Sequence, residues 1–370
     1  MVGDIPLIRR LVRLGYNINA IESTGRTTIH DVGTHIGDSN YCDGRADTSV
    51  LVLRTLCEEG ADVNFSADED EAPNILYHLI LSFGTHDIAT LPAYMAALNL
   101  LLQYGASPSL ALHAVAERKS YLPFVKVILN AGANIEELWE NMTPLTRAAA
   151  MKNIDVLQEL LDSGADANGP GEPALFAAVL DDKFHYGDVA NMAAIVTALC
   201  NAGADTTMQA DGAHSIISYV LTHSAYYSAV QSTLRYDMPS VVEALCRRGL
   251  DVNFPHRRVP FAEVNDGDTP LHIATRLAVV LSDDLGTLSP DLSRCVDILV
   301  SHGADVNRQN SGGLTPLRIA VFERKHSLAL FLRQHGARLD EGEAGHQQEE
   351  RSVIRRISEE IPFVDLDLPS

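Results

Sequence analysis

Histidine is the residue of this chain best suited to chemistry, because a neutral imidazole can transfer a proton or bind a metal near neutral pH. The chain has 14 histidines. Four of them lie in long segments between helix-like stretches, each with an acidic residue or a tyrosine close by. These segments contribute His35, Asp38, His86, Asp87, His185, Tyr186 and His223. An acid–base or metal site needs two or three such groups to converge, so these residues define one candidate ligand site at the rim of the fold.

The same segments have a second interpretation, in which they pack against their neighbours as additional core. The sequence contains no HExxH, GxSxG or phosphate-binding loop motif, and no glycine-rich dinucleotide motif between a strand and a helix. We therefore predict that the chain is not an enzyme and has no cofactor and no metal. An enzyme or small-ligand binder that uses the rim residues remains the alternative.

Two other segments combine large apolar side chains with charges, which suits contact with a protein. The only tryptophan, Trp139, lies between Glu136 and Glu140. The second segment contains Phe254, His256, Arg257 and Arg258. Arginine presents a planar fork that matches a carboxylate or a phosphate, and tryptophan on a loop serves an interface better than a core. We predict that Trp139, Phe254, His256, Arg257 and Arg258 bind a partner; the alternative for the basic cluster is solvated loop charge.

The charge of the chain excludes two classes of partner. It has 28 Lys and Arg against 49 Asp and Glu, a formal net charge of −21. Such a surface repels a nucleic-acid backbone and an anionic membrane, and no apolar run approaches the roughly 18 residues of a membrane helix. We therefore predict a protein partner, and a basic one. Five cysteines without metal-type spacing favour a reducing compartment, the cytoplasm or the nucleus.

The elements that position these residues are repeats. A glycine-centred phrase closes nine amphipathic stretches, as in Gly60-Ala-Asp-Val-Asn64 and Gly303-Ala-Asp-Val-Asn307. The nine glycines are Gly15, Gly60, Gly105, Gly132, Gly164, Gly203, Gly249, Gly303 and Gly336. This pattern predicts a helix that glycine ends in the left-handed conformation, followed by a turn that Asp and Asn open.

A second phrase precedes these helices: Thr143-Pro-Leu, Thr269-Pro-Leu-His-Ile-Ala274 and Thr315-Pro-Leu, with a looser copy at Thr27-Thr-Ile-His30. Thr can cap a helix and Pro suits its first position. With both phrases repeated, the chain resembles the ankyrin repeat family, whose consensus contains T-P-L-H-x-A. The resemblance implies that His30 and His272 hydrogen-bond to the backbone of a neighbouring repeat.

The resemblance implies an all-α solenoid of helix–turn–helix units, in which hairpin fingers and inner helices line a concave surface for a protein partner. It covers residues 1–340 as a half-repeat followed by about eight repeats, and residues 341–370 are expected to form a capping helix and an acidic tail. The function it implies is that of a scaffold, adaptor or regulatory recognition array. A start in mid-repeat also fits the recognition part of a longer multidomain protein.

The chain departs from the family in two ways. Five repeats carry about 10 to 14 extra residues between their inner and outer helices, and the insertions contain the rim residues. The fingers are unequal in length, and the one that follows Gly105 has almost vanished. Unequal fingers indicate either a shaped binding surface or the loss of unused loops.

Overall fold

The structure, a computed structural model, describes residues 4–23, 25–36, 46–65, 74–83, 88–117, 121–179, 191–207, 209–210, 214–222, 237–256, 267–280, 290–323 and 325–338. The chain divides into two compact units, Met1–Asp188 and Val189–Ser370. The predicted capping helix and acidic tail, 341–370, lie outside the described residues.

Helices make up nearly all of the regular structure. In the first unit they are α1 (Ile5–Arg13), α2 (Thr28–Thr34), α3 (Ala46–Glu58), α4 (Ile75–Phe83), α5 (Leu91–Gln103), α6 (Ala111–Ala116), α7 (Leu122–Asn130), α8 (Pro144–Ala150), α9 (Ile154–Asp162) and α10 (Ala174–Val179), with a 3-10 turn at Ile88–Thr90. In the second unit they are α11 (Met192–Asn201), α12 (216–222), α13 (Met238–Cys246), α14 (Pro270–Val280), α15 (Pro290–Ser301), α16 (Pro316–Phe322) and α17 (His326–Gln334). None of the helices in this described part is long and apolar enough to cross a membrane.

The helices stack in rows, as repeats require. In the first unit the inner helices α2, α4, α6, α8 and α10 each pack on the next, while α1 packs on α3, α3 on α5 and α7 on α9. In the second unit α11 packs on α13, α13 on α15 and α14 on α16. Strand β1 (Gln209–Ala210) pairs antiparallel with β2 (His214–Ser215). Helix α1 thus occupies the place expected of the outer helix of a half-repeat.

Glycine ends the outer helices, as the sequence predicts. All nine glycines of the repeated phrase have positive φ, for example 88° at Gly60 and 96° at Gly164. The backbone then closes the turn: the amide of Gly60 donates to the carbonyl of Cys57 over 3.1 Å. A side chain at this conformation is strained, which explains why glycine recurs.

The inner helices begin with the predicted caps. Thr143 Oγ1 accepts a hydrogen bond from the amide of Thr146 over 3.1 Å, and the same pattern occurs at Thr315. At Thr269 the hydroxyl instead lies 2.8 Å from Nδ1 of His272, whose Nε2 lies 3.0 Å from the carbonyl oxygen of Leu314 in the next repeat. The expected structural role of this histidine is confirmed.

Asparagine at the end of the repeated phrase makes a contact that the sequence did not reveal. Asn64 Nδ2 donates to the carbonyl of Gly105 over 2.8 Å, and its Oδ1 accepts from the amide of Ser107 over 2.7 Å. We call this pair of bonds the asparagine clamp. It recurs at Asn19, Asn253 and Asn307. The clamp ties the glycine turn of one repeat to that of the next.

Some of the extra length of the long repeats is helix. Helices α3 and α5 have 13 residues against 9 in α9, and α14 has 11 against 7 in α8. The remaining inserted residues fall mostly outside the described ranges. The interpretation of the insertions as additional packed core therefore stays a prediction.

Cysteine fills part of the core in three of the outer helices. Cys57, Cys200 and Cys246 are buried and free. Burial raises the pKa of Cys57 and Cys200 to about 11 and that of Cys246 to about 12. These thiols stay protonated near neutral pH and pack as small apolar groups.

The asparagine clamp should stabilise the first unit measurably. We expect Asn64→Ala to lower the free energy of unfolding by about 1 to 2 kcal/mol, because it removes two hydrogen bonds across one boundary. Ser109 is the matched control, since it occupies the same position after Gly105, and Ser109→Ala should cost less than about 0.5 kcal/mol. Urea denaturation measures both, and equal losses would contradict the role of the clamp.

Candidate functional site

Most residues of the predicted rim site cannot be placed. Asp38, His86, Asp87, His185, Tyr186 and His223 lie outside the described residues. His35 follows the last turn of α2, where its Nδ1 lies 2.7 Å from the carbonyl oxygen of Asp31. Within the described ranges, no three His, Cys, Asp or Glu residues are grouped so that they could hold a metal. The rim site therefore stays a prediction.

A surface groove of about 520 Å³ lies beside α7 and contains none of the rim residues. It is lined by Lys126, Leu129, Asn130, Ala133, Ile135 and Ser163. One ammonium group among apolar side chains, an amide and a hydroxyl provides no acid–base pair. This groove therefore gives no support to the alternative of an enzyme.

The basic segment of the second unit is only partly placed. Arg257 and Arg258 lie outside the described residues, and Phe254 is half-buried. His256 is 1% exposed, with its amide donating to the carbonyl of Asp268 over 2.7 Å. The sequence analysis included His256 among the partner-binding residues, but its burial removes it from the surface.

Trp139 lies beside a place where one finger is almost missing. Helix α6 begins at Ala111, soon after Gly105, so residues 106–110 leave little room for a hairpin. In the next repeat a full finger, residues 136–143, separates α7 from α8. We call it the Trp139 finger. The indole reaches back across the shortened loop to side chains of two earlier inner helices.

The contacts of Trp139 are with rings and with one cation. Its ring centroid lies 5.1 Å from that of Tyr77 on α4 and 5.7 Å from that of His113 on α6, both edge to face. The guanidinium carbon of Arg147 on α8 lies 4.4 Å from the indole centroid. Trp139 is therefore half-buried, although its place on a loop predicts a side chain that serves an interface better than a core. A cation–π contact at a partly buried site contributes about 1 to 2 kcal/mol.

Arg147 is held by two carboxylates. Its side chain is 4% exposed, and it lies 2.8 Å from Glu140 Oε2 and 3.6 Å from Glu117 Oε1. The hydroxyl of Tyr77 donates to Glu117 over 3.1 Å. Burial, and then the negative charge of Glu117, raises the pKa of Tyr77 well above its usual value, so the hydroxyl stays a donor. We call Tyr77, His113, Glu117, Trp139, Glu140 and Arg147 together the Trp139 site.

His113 is a neutral member of this site. It is fully buried, and its Nε2 lies 2.9 Å from the carbonyl oxygen of Glu137. A carbonyl only accepts, so Nε2 carries the proton and Nδ1 is an acceptor. Burial lowers the pKa of His113 to about 4, and among the described residues Nδ1 has no hydrogen-bond partner.

A tight hairpin positions the carboxylate of Glu140. Trp139 and Met142 exchange two backbone hydrogen bonds of 3.0 Å. Between them Glu140 has φ of 51° and Asn141 of 62°, the pattern of a two-residue type I′ turn. Asn suits this conformation, while Glu there costs roughly 1 to 2 kcal/mol. The contact with Arg147 offsets that cost and fixes the turn.

The Trp139 site ends a longer row of rings on the face made by the inner helices and fingers of the first unit, which we call the finger face. Successive rings are Phe65, His30, His78, Tyr77, Trp139 and His113, with centroids 5.1 to 6.4 Å apart. Phe65, His78 and Trp139 are half-buried. The row can offer a partner apolar contact along several repeats.

Sequence reasoning found one residue of this site and missed the others. Tyr77, His113 and Arg147 lie on inner helices, where repeat patterns indicate packing. The feature of the sequence that could have indicated the site is the nearly absent finger after Gly105. A missing finger leaves the inner helices beside it uncovered, so the finger of the next repeat can contact them.

Stability of the first unit should depend on the protonation of His113. In the unfolded chain His113 is protonated below about pH 6.5, whereas in the folded chain it is protonated only below about pH 4, because burial lowers its pKa. Lowering the pH from 6.5 to 4 therefore reduces the free energy of unfolding by up to about 3 kcal/mol. We expect His113→Gln to reduce the loss of stability between these pH values, because Gln can donate to Glu137 without titrating. Urea denaturation across this range measures it. His302→Gln makes the same change at an exposed histidine, and an equal effect there would contradict the prediction.

Comparisons with known proteins agree with this arrangement of helices. The family model for three copies of the ankyrin repeat matches residues 86–170 and 112–210, the model for many copies matches 294–337, and the single-repeat model matches 266–311. No curated protein matches the chain.

Solved structures of two ankyrin repeat domains are similar to this chain. The crystal structure from Acinetobacter baumannii AYE has 21% identity and a TM-score of 0.46, and the match covers 62% of this chain and 99% of that one. The crystal structure of the human ASB11 domain has 16% identity and a TM-score of 0.35, with 91% and 96% covered. Because the family models together match more than half of the residues, and the described helices alternate as inner and outer members of stacked repeats, the chain belongs to the ankyrin repeat family.

Proposed function

We propose that this chain is a protein-binding module whose partner contacts the finger face of the first unit at the Trp139 site. Ankyrin repeats are generally protein–protein interaction modules. The observation that carries the proposal is the position of Trp139, half-buried next to the end of a row of six rings. Leu138, on the same finger, is 48% exposed.

The composition of the Trp139 site supports this function. Trp, Tyr and Arg are the residues most enriched among those that dominate binding energy at protein interfaces. Here Tyr77 and Arg147 hold Trp139 from beneath, so the indole is fixed before a partner arrives. A fixed aromatic group loses little conformational entropy on binding.

The net charge of −21 favours a basic partner, because complementary charge accelerates association and disfavours acidic competitors. A reducing compartment, the cytoplasm or the nucleus, belongs to the same proposal. Its support is that Cys57, Cys200, Cys246 and Cys295 are free and buried.

Site-directed crosslinking tests where the partner binds. A benzoylphenylalanine in place of Leu138 should form a covalent adduct with a specific partner in cell extract, and an excess of unmodified chain should suppress it. The matched control is Leu51 on the outer helix α3, which is 49% exposed against 48% for Leu138. Adducts at Leu51 that equal those at Leu138, or exceed them, would contradict binding on the finger face.

A further inference from the structure

The described surface between residues 121 and 179, which includes the Trp139 finger, is mostly negative. Between residues 121 and 179 the cations are Lys126, Arg147 and Lys152, and the last two are buried. Lys126 is exposed and lies 3.3 Å from Glu159. The acidic residues of the same range are all half or fully exposed: Glu136, Glu137, Glu140, Asp155, Glu159, Asp162, Asp166 and Glu172. A partner that approaches this range therefore meets carboxylates.

The one cation inside the site is unavailable to a partner. Arg147 is only 4% exposed at its side chain and already contacts Glu117, Glu140 and the indole of Trp139. Two carboxylates against one guanidinium leave a net negative charge. Glu140, which is 60% exposed, presents that charge at the surface.

Hydrogen-bonding capacity at the site is mostly that of an acceptor. Nδ1 of His113 carries a lone pair but is fully buried, so the acceptor that a partner can reach is the carboxylate of Glu140, which accepts more bonds than the one it receives from Arg147. Only Nε of Arg147 is a buried donor without an acceptor here. A ligand rich in N–H donors therefore suits the site better than an anion.

The acceptors sit beside an aromatic surface that is held in place. The type I′ turn fixes Glu140 next to Trp139, and the carbonyl of Asn141 accepts from the amide of Glu172 over 2.7 Å. A carboxylate beside an indole matches a side chain with an apolar stem and a cationic end.

We infer that the Trp139 site receives an arginine or lysine side chain from an extended basic segment of the partner protein. Glu140 supplies the opposite charge, the exposed part of Trp139 and Leu138 contact the apolar stem, and the half-buried rings toward Phe65 contact residues that flank the cation. This inference rests on the proposed function and gives the partner its chemistry.

The chain carries its own reporter for this site, because Trp139 is its only tryptophan. The probe is a fluorescein-labelled peptide of nine residues in which Arg alternates with Ala, and its matched control has citrulline in place of Arg. We expect a saturable change in the tryptophan emission of the full chain with the Arg peptide, and fluorescence anisotropy should show at least tenfold weaker binding of the citrulline peptide.

Two variants separate a local contact from general attraction to an acidic protein. Glu140→Gln should weaken binding of the Arg peptide about tenfold, and Glu140→Asn, which suits the left-handed turn, should do the same with the fold retained. Asp155→Asn removes the same charge from an exposed position on α9 and should change the affinity less than twofold.

Three results would overturn the inference: equal binding of the citrulline peptide, an equal effect of Asp155→Asn and Glu140→Gln, or anisotropy that rises with no change in tryptophan emission. If the Arg peptide fails while crosslinking at Leu138 still captures a specific partner, the proposed function stands and only the cationic chemistry is wrong. If the peptide binds as expected and crosslinking fails, the site is real and the proposed function is wrong.

Discussion

The asparagine clamp sets the spacing of the repeats, and its exceptions explain the unusual features of the first unit. A clamped asparagine satisfies a carbonyl and an amide of the next repeat at once, which holds two glycine turns in register. Ser109 occupies that position in one repeat and bonds instead to Ser107. Glu136 occupies the clamp position of another repeat and forms only one of the two bonds. Its Oε1 accepts from the amide of Asp166, but its Oε2 is buried with no hydrogen-bond partner among the described residues. Burial accordingly raises the pKa of Glu136.

The Trp139 site lies beside one of these exceptions. Where the clamp position is Ser109, the following finger is shortened, and the side chains of Tyr77 and His113 are left for another element to cover. The Trp139 finger reaches them, and Arg147 packs against the indole from the next inner helix. Because one hairpin is nearly missing, Trp139 contacts side chains of three successive inner helices, α4, α6 and α8. The same contact presents Glu140 and part of the indole to solvent.

Much of the fold could be predicted because it depends on residues that act on their immediate neighbours in the sequence. The hydrogen bonds and ring contacts between repeats could not be predicted in this way. Glycine at a helix end and Thr-Pro at a helix start act within a few residues, so the nine turns and the caps at Thr143 and Thr315 were correct. The clamp of Asn64 joins residues 41 to 43 positions apart, and only the stacking distance brings them together. Trp139 was recognised by its residue type, yet its burial was missed because its neighbours come from other repeats. His256 was missed for another reason, because its backbone pairs with Asp268 and Gly267 at the far end of its own long finger.

The buried charge of Arg147 contributes more to the positions of Trp139 and Glu140 than to the stability of the fold. Removing the guanidinium of Arg147 and the carboxylate of Glu117 from water costs much of what their attraction returns, so the net gain from the buried charge is small, while Glu140 stays exposed. Removing one partner would leave an uncompensated charge, and the geometry is therefore tightly determined. An indole held by a buried cation and two perpendicular rings cannot reorient freely, and Glu140 cannot leave its turn without exposing Arg147. The site is consequently ordered before any partner binds, so association loses less entropy and can discriminate by the position of charge.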